Sequence, residues 1–249
     1  MVRPLHFHPN PETAADNAFQ SRASSQPPDE TARLAYAEVS AAAARLEAAG
    51  VRVHLFDDGG ARGTPDSVFP NNWFSTHAGG HVALYPMFAP NRRRERRSDI
   101  IECLKSTYRV QDVIDYSGLE HDGMFLEGTG AMVLDHVARI AYTAQSNRAN
   151  PVALERFCTH FNFEPMAFAT ADAQGQACYH TNVMLCVGTE FALGGFYLIA
   201  DAKRRGAVRE RLREGGRELI EALGVPVATL AQVERLEAGR AVLTQPRLG

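Results

Sequence analysis

One pattern recurs three times along the 249-residue chain and restricts the folds open to it: a polar turn, an alternating β-hairpin, a helix and a further strand. In the first copy the hairpin covers roughly 72–86, "NWFSTHAGGHVALYP", and turns at Ala78-Gly79-Gly80; a helix over 92–107 and the strand "RVQDVIDY" follow. The second copy has its hairpin over roughly 130–143, "GAMVLDHVARIAYT", a helix starting near Asn150-Pro151 and the strand "PMAFAT". In the third, a hairpin near 183–199 leads to a charged helix over about 202–223 and to "VPVAT" as the strand. Upstream, "DETARLAYAEVSAAAARLEAAG" (29–50) reads as an alanine-rich amphipathic helix stopped by Gly50, and "VRVHLFDD" as a strand, together a helix–strand half unit. Serial modules of this kind predict a repeat architecture of the α/β class.

Polar residues keep one phase within that repeat. Asn72, Glu127 and His180 each stand just before or at the start of a hairpin, at nearly equal spacings. A closed ring of modules presents equivalent loops to a common centre, so these three are expected to face a central pocket. Each also has a plain structural explanation. "PNN" forms turns, a Gly-rich segment after an apolar run gives a tight hairpin entry, and a histidine beside "TNVMLC" can be a satisfied structural group. The shared phase favours function.

Composition narrows the partner. With 45% hydrophobic and 22% charged residues, the chain can bury a full core as a soluble globular protein, and residues 1–249 are read as a single domain. A net charge of −3 supplies no positive field for nucleic acid or an anionic membrane, so a small molecule is the expected partner. The run "NRRRERR" (91–97) alone suggests nucleic acid; its internal Glu95 and lack of aromatic neighbours make it a solvated helix face instead. The N-terminus "MVRPLHFHPN" lacks the apolar core of a signal peptide, and no stretch approaches the roughly 20 apolar residues that span a bilayer. A cytoplasmic location follows. Cys103, Cys158, Cys178 and Cys186 fall in helix or strand segments and are expected to be reduced thiols. Cys178 and Cys186 with His180 between them match no common zinc spacing, so no metal is expected.

Five segments carry a resemblance. "NPETAADNAFQ" (10–20), "PDSVFPNNWFSTH" (65–77), "LYPM" (84–87), "DGMFLEGTGAMVLD" (122–135) and "YHTNVMLCVG" (179–188) closely resemble the guanidino-group-modifying enzymes of the amidinotransferase superfamily. Within it they look most like the bacterial citrulline-utilisation hydrolases, relatives of dimethylarginine dimethylaminohydrolase, over residues 1 to about 220. The resemblance implies a pentein-type α/β propeller, a pseudo-five-fold ring of ββαβ modules, and hydrolysis of a ureido or guanidino C–N bond without a cofactor. In that family a cysteine thiolate attacks the guanidinium-type carbon and water hydrolyses the thiouronium intermediate. By resemblance His180 protonates the departing amine and then activates water, while Glu127 accepts hydrogen bonds from the planar nitrogens of the substrate. Asp66 and Asn72 align with a pair of acids that hold a guanidinium. An amide at the second position offers a donor and an acceptor without charge, which favours citrulline over arginine. The segment holding Asn17 and Gln20 forms either a flap whose side chains reach the amino-acid end of a substrate or a capped helix start.

The family's nucleophile lies near the C-terminus on a glycine-rich turn, whereas this sequence has no cysteine after Cys186. The half unit and three modules are followed by only the beginning of a fourth, and "LEAGRAVLTQPRLG" shows little hairpin alternation. A truncated or frame-shifted C-terminus and an open ring are therefore expected, with edges that could pair with a further copy in a homo-oligomer. Cys186 does not replace the nucleophile: six residues along one strand from His180 is roughly 20 Å at about 3.3 Å per residue. Two readings follow, a citrulline-type hydrolase lineage and an inactive relative that binds an arginine-like ligand or a partner.

Overall fold

A computed structural model describes residues 1–15, 17, 27–222, 236–237 and 240–241. The chain divides into two compact units, Met1–Gly123 and Met124–Gly249. In the first, β1 (Val2–Pro4) and β2 (Phe56–Asp58) pair in parallel across the helix α1 (Pro28–Ala48). The half unit is thus strand–helix–strand, and β1 is an element that the sequence did not reveal, because three residues carry no readable period. The strands β3 (Phe74–His77) and β4 (His81–Leu84) form a hairpin. Its turn requires glycine: Gly79 and Gly80 have φ of 89° and 87°, and a Cβ on Gly80 would lie 2.3 Å from the Arg109 carbonyl oxygen. Two helices, α2 (Pro90–Arg93) and α3 (Ser98–Thr107), lead to β5 (Asp112–Asp115), parallel to β4. Val2, Trp73, Val82, Met87, Ile100 and Ile101 form the core beneath these elements.

The continuous helix and solvated arginine face expected over 92–107 are both corrected. Arg92 and Glu95 are buried and paired (Nε–Oε1 2.9 Å). Arg94 donates to the carbonyls of Arg62 and Gly63, Arg96 to the Glu120 carboxylate, and Arg97 to Asp99 and to the Asp57 carbonyl. The helix is interrupted between α2 and α3, and the run is tied to carboxylates and carbonyls on several sides, with Arg92 buried and Arg94 exposed.

The second unit holds two more copies of the module. The short helix α4 (Gly128–Ala131) enters the hairpin β6 (Met132–Asp135) and β7 (Ile140–Ala144); α5 (Pro151–Phe161) then returns the chain to β8 (Glu164–Phe168), parallel to β7. Asn150 caps α5 by accepting from the Val152 amide at 2.9 Å, with Pro151 in the first turn, and Asn162 closes it in the left-handed conformation. The third copy is β9 (Leu185–Val187), β10 (Phe191–Gly194), α6 (Ala202–Glu214) and β11 (Glu218–Glu221), again antiparallel then parallel. Here α6 is shorter than the sequence indicated, because Gly215-Gly216 ends it and Gly216 adopts φ 77°. The third strand is consequently "ELIE"; "VPVAT" lies outside the described residues. Tyr142, Met166, Phe168, Met184, Phe196, Val208 and Leu212 belong to one core shared by these two modules. Further on, β12 (Leu236–Glu237) and β13 (Arg240–Ala241) pair antiparallel, a hairpin where little alternation was legible. All four cysteines are free thiols. Among the described residues no helix is long and apolar enough to cross a membrane, and no group of His, Cys, Asp and Glu could hold a metal ion.

Candidate active site

The module explains how Glu127 and His180 come to be held. Glu127 precedes α4, with the left-handed Gly128 (φ 46°) letting the chain turn directly into the helix. Its backbone amide donates to the Arg148 carbonyl at 3.0 Å. His180 occupies the equivalent place in the next module, before the 3-10 turn Thr181–Val183. The Thr181 hydroxyl donates to the Ala131 carbonyl (2.5 Å) and accepts from the Ala144 amide (2.7 Å), and the Ser146 hydroxyl donates to the Tyr179 carbonyl at 2.9 Å. The turn carrying the histidine is therefore fastened to the hairpin of the carboxylate.

These ties bring the two side chains together: His180 Nε2 lies 2.8 Å from Glu127 Oε2, with the residues 5% and 0% exposed. A buried carboxylate needs compensating donors. Arg148 adds a compensating charge, with Nη1 3.7 Å from the same oxygen and its guanidinium 4.8 Å from the centroid of the Tyr179 ring. Tyr179 also packs against the His180 imidazole at 4.9 Å between centroids. Arg148, 2% exposed, was missed in the sequence; its only signal is a lone cation in the "SNRANP" turn before α5. Such a constellation can accept hydrogen bonds from a planar nitrogen group and carry a proton on the imidazole.

In the first unit a series of tight turns carries the other expected residues. The Ser67 amide donates to Thr64, Phe69 to Asp66 and Asn72 to Phe69, placing Asp66 and Asn72 in one loop ahead of β3. Asn72 is only 4% exposed, yet its side-chain amide makes no hydrogen bond among the described residues. Asp66 Oδ2 accepts from Asn10 Nδ2 at 2.7 Å. The Asn17 amide donates to the Thr13 carbonyl at 3.0 Å, closing a turn, and Gln20 lies outside the described residues.

Neither cysteine of the His180 segment is a poised nucleophile. Cys186 is exposed on β9 and its thiol is raised by burial of the sulfur. Cys178 donates to the His180 carbonyl at 3.1 Å, and burial pushes it up to about 12.

Comparison with known proteins agrees with this geometry at the level of the fold. No curated protein matches the chain. Among solved structures, the substrate-bound N-terminal domain of ArgZ, an arginine dihydrolase from the ornithine-ammonia cycle in cyanobacteria, superposes with a TM-score of 0.63 at 18% identity, covering 90% of this chain and 75% of that one. Apo ArgZ gives 0.60 at 19% identity over 78% of this chain, which spans 29% of the longer protein's length. A citrulline complex of the dimethylarginine hydrolase from Pseudomonas aeruginosa gives 0.56 at 13% identity, covering 91% of each chain. The family model described as N,N dimethylarginine dimethylhydrolase, eukaryotic, matches residues 3–232. With nearly its whole length so matched, the chain belongs to the dimethylarginine dimethylhydrolase family of the amidinotransferase superfamily.

Proposed function

We propose that the chain handles the ureido or guanidino group of an arginine-related amino acid as a C–N hydrolase, with citrulline as its preferred ligand. Members of its family hydrolyse amidino C–N bonds, and three modules in common phase support the reading of a pentein-type propeller. The observation that carries the proposal is the buried His180–Glu127 pair at 2.8 Å. Glu127 has the acceptor lone pairs to align planar N–H groups, and His180 beside it is placed to take a proton from a water that adds to the ureido or guanidino carbon and to hand it to the nitrogen whose C–N bond then breaks. In the first unit, Asp66 supplies a carboxylate, and Asn72 supplies an uncharged donor and acceptor with no protein partner among the described residues. That amide is why citrulline, with its neutral carbonyl oxygen, is preferred over a guanidinium. Asn17 and Gln20 are assigned to the amino-acid end of the ligand.

Cys178, whose thiol donates to the His180 carbonyl, and Cys186, exposed on β9, favour a second reading, binding without turnover by these residues alone. One experiment separates the two. Ammonia release from citrulline and arginine, and dimethylamine release from dimethylarginine, are followed beside calorimetric binding for the wild type, His180→Asn and Glu127→Gln. Hydrolysis requires turnover that falls at least about 10²-fold in His180→Asn; binding without turnover leaves saturable affinity that Glu127→Gln weakens. A wild type that neither binds nor turns over any of the three ligands refutes both, and a kcat/KM for arginine above that for citrulline refutes the preference.

A further inference from the structure

Around Asp66 the first unit contains a network that the proposed chemistry does not use. Asn10, 1% exposed, satisfies its whole amide: Nδ2 donates to Asp66 Oδ2 (2.7 Å) and to Asn91 Oδ1 (3.2 Å), while Oδ1 accepts from Asn91 Nδ2 (2.7 Å) and the Glu12 amide (3.0 Å). These four contacts fix which way the amide points, since the opposite orientation would set its oxygen against the Asp66 carboxylate. Glu12 Oε2 in turn accepts from the Asn91 backbone amide at 2.8 Å, and Thr13 closes a turn onto the Asn10 carbonyl. Through Asn10, the start of the "NPETAADNAFQ" segment is thus pinned to α2 and to one oxygen of Asp66.

The other oxygen has a different status. Asp66 Oδ1 makes no hydrogen bond among the described residues, and the side chain keeps 16% of its surface exposed. The nearby cation Arg92 lies 3.7 Å away on the Oδ2 side, and its charge is already met by a bidentate contact to Glu95. A carboxylate with one oxygen bonded by a rigid, fully satisfied amide and the other open is oriented toward an incoming donor.

We infer that Asn10 is a positioning residue: it holds Asp66 so that Oδ1 receives an N–H from the ureido or guanidino group of the ligand. This rests on the functional reading above and assigns Asn10 a specificity role within it. Loss of Asn10 should cost the alignment of one charge-assisted hydrogen bond, about tenfold or more in affinity.

Calorimetric dissociation constants for citrulline and for norvaline, which lacks the ureido group, decide the matter in the wild type, Asn10→Ala, Asp66→Ala and the double variant. Asn10→Ser, which keeps one donor, is measured beside them so that a poorly folding alanine variant does not decide the outcome. Thermal melts check each fold. The expected result is about a tenfold loss for citrulline in Asn10→Ala, a smaller loss in Asn10→Ser, unchanged norvaline binding and no further loss on adding Asn10→Ala to Asp66→Ala. Equal losses for both ligands, full additivity in the double variant, or citrulline affinity unchanged in Asn10→Ala overturn the positioning role while leaving the functional reading intact. A wild type that binds neither citrulline, arginine nor dimethylarginine overturns both.

Discussion

Removing Arg217 should unsettle the second unit more than its distance from the candidate site suggests. The guanidinium reaches Asp135, the last residue of β6, with Nη2 donating to Oδ1 at 2.8 Å and Nη1 2.8 Å from Oδ2, while Nε donates to the Gly188 carbonyl. The Nη1–Oδ2 approach is close but misaligned for a hydrogen bond, so the pair is one directed bond plus a Coulombic contact. Both side chains are essentially inaccessible, at 2% and 0%. Arg217→Met keeps the apolar stem and strands the carboxylate, which retains only the Val137 and Ala138 amides on Oδ1. Breaking a buried pair costs about 3–5 kcal/mol; those two amides place this one near about 3 kcal/mol, a large share of a total stability of about 5–15 kcal/mol. For a chain of this length that lowers Tm by about 6–12 °C. Circular-dichroism melts of Arg217→Met, Asp135→Asn and the double variant complete a thermodynamic cycle. The double variant buries no charge and should recover about half of the loss. A fall of less than about 2 °C in Arg217→Met, or a double variant as unstable as the sum of the singles, would refute the reasoning.

Gly80→Ala combines a φ of 87° with a backbone oxygen 2.3 Å from the new Cβ, whereas Gly50→Ala meets a φ of 83° with nothing within 4 Å; denaturant midpoints should show Gly80→Ala losing about 2–3 kcal/mol and Gly50→Ala about 1 kcal/mol, and equal losses would contradict the close approach. Burial pushes Cys158 up to about 12 from its ordinary 9.0, so above pH 9 the unfolded chain gives up this proton while the folded chain keeps it. Stability is thus fully present below about pH 9 and falls by up to about 1.4 kcal/mol per pH unit as pH rises toward 12, and Cys158→Ala should lessen that slope in urea titrations from pH 8 to 11.

Where the sequence was legible, local chemistry and tertiary structure agreed. The hairpin at Ala78-Gly79-Gly80, the Asn150-Pro151 helix start and the first two alternating strand pairs lie within a residue or two of their observed places, because glycine, cap and alternation are local demands, while the third pair ends at Gly194, five residues before the expected 199. What escaped was decided at a distance. "ELIE" (218–221) extends a helical pattern from α6, but pairing of Leu219 and Ile220 with Ala192 and Leu193 claims it for a strand. The arginine run reads as a solvated face until its carbonyl and carboxylate partners, up to 40 residues away, are known. Arg148 and Asn10 escaped for the same reason: their partners Tyr179, Asp66 and Asn91 come from other segments.

The phase of the polar residues has a physical basis that explains why it could be read at all. Asn72 ends a 3-10 turn, Glu127 precedes α4 and His180 precedes another 3-10 turn, and each turn leads into the first strand of its module. A residue at such a junction contributes its backbone to the turn, while its side chain has no cross-strand neighbour to pack against as strand residues do. An apolar side chain would serve the core equally well there. A buried polar one must find a partner or a ligand, since leaving it unsatisfied costs about 1–3 kcal/mol. Glu127 and His180 meet that demand with each other, while the Asn72 side chain makes no hydrogen bond among the described residues. The same structural position therefore yields a mutually satisfied pair in one unit and an amide open to a ligand in the other, which is why the substitution most informative about substrate choice is at Asn72. With Asn72→Asp the position gains a charge that a guanidinium can compensate and a neutral ureido group cannot. Measured as a ratio of dissociation constants, the preference should move toward arginine over citrulline by about tenfold, and an unchanged ratio would remove Asn72 from ligand recognition.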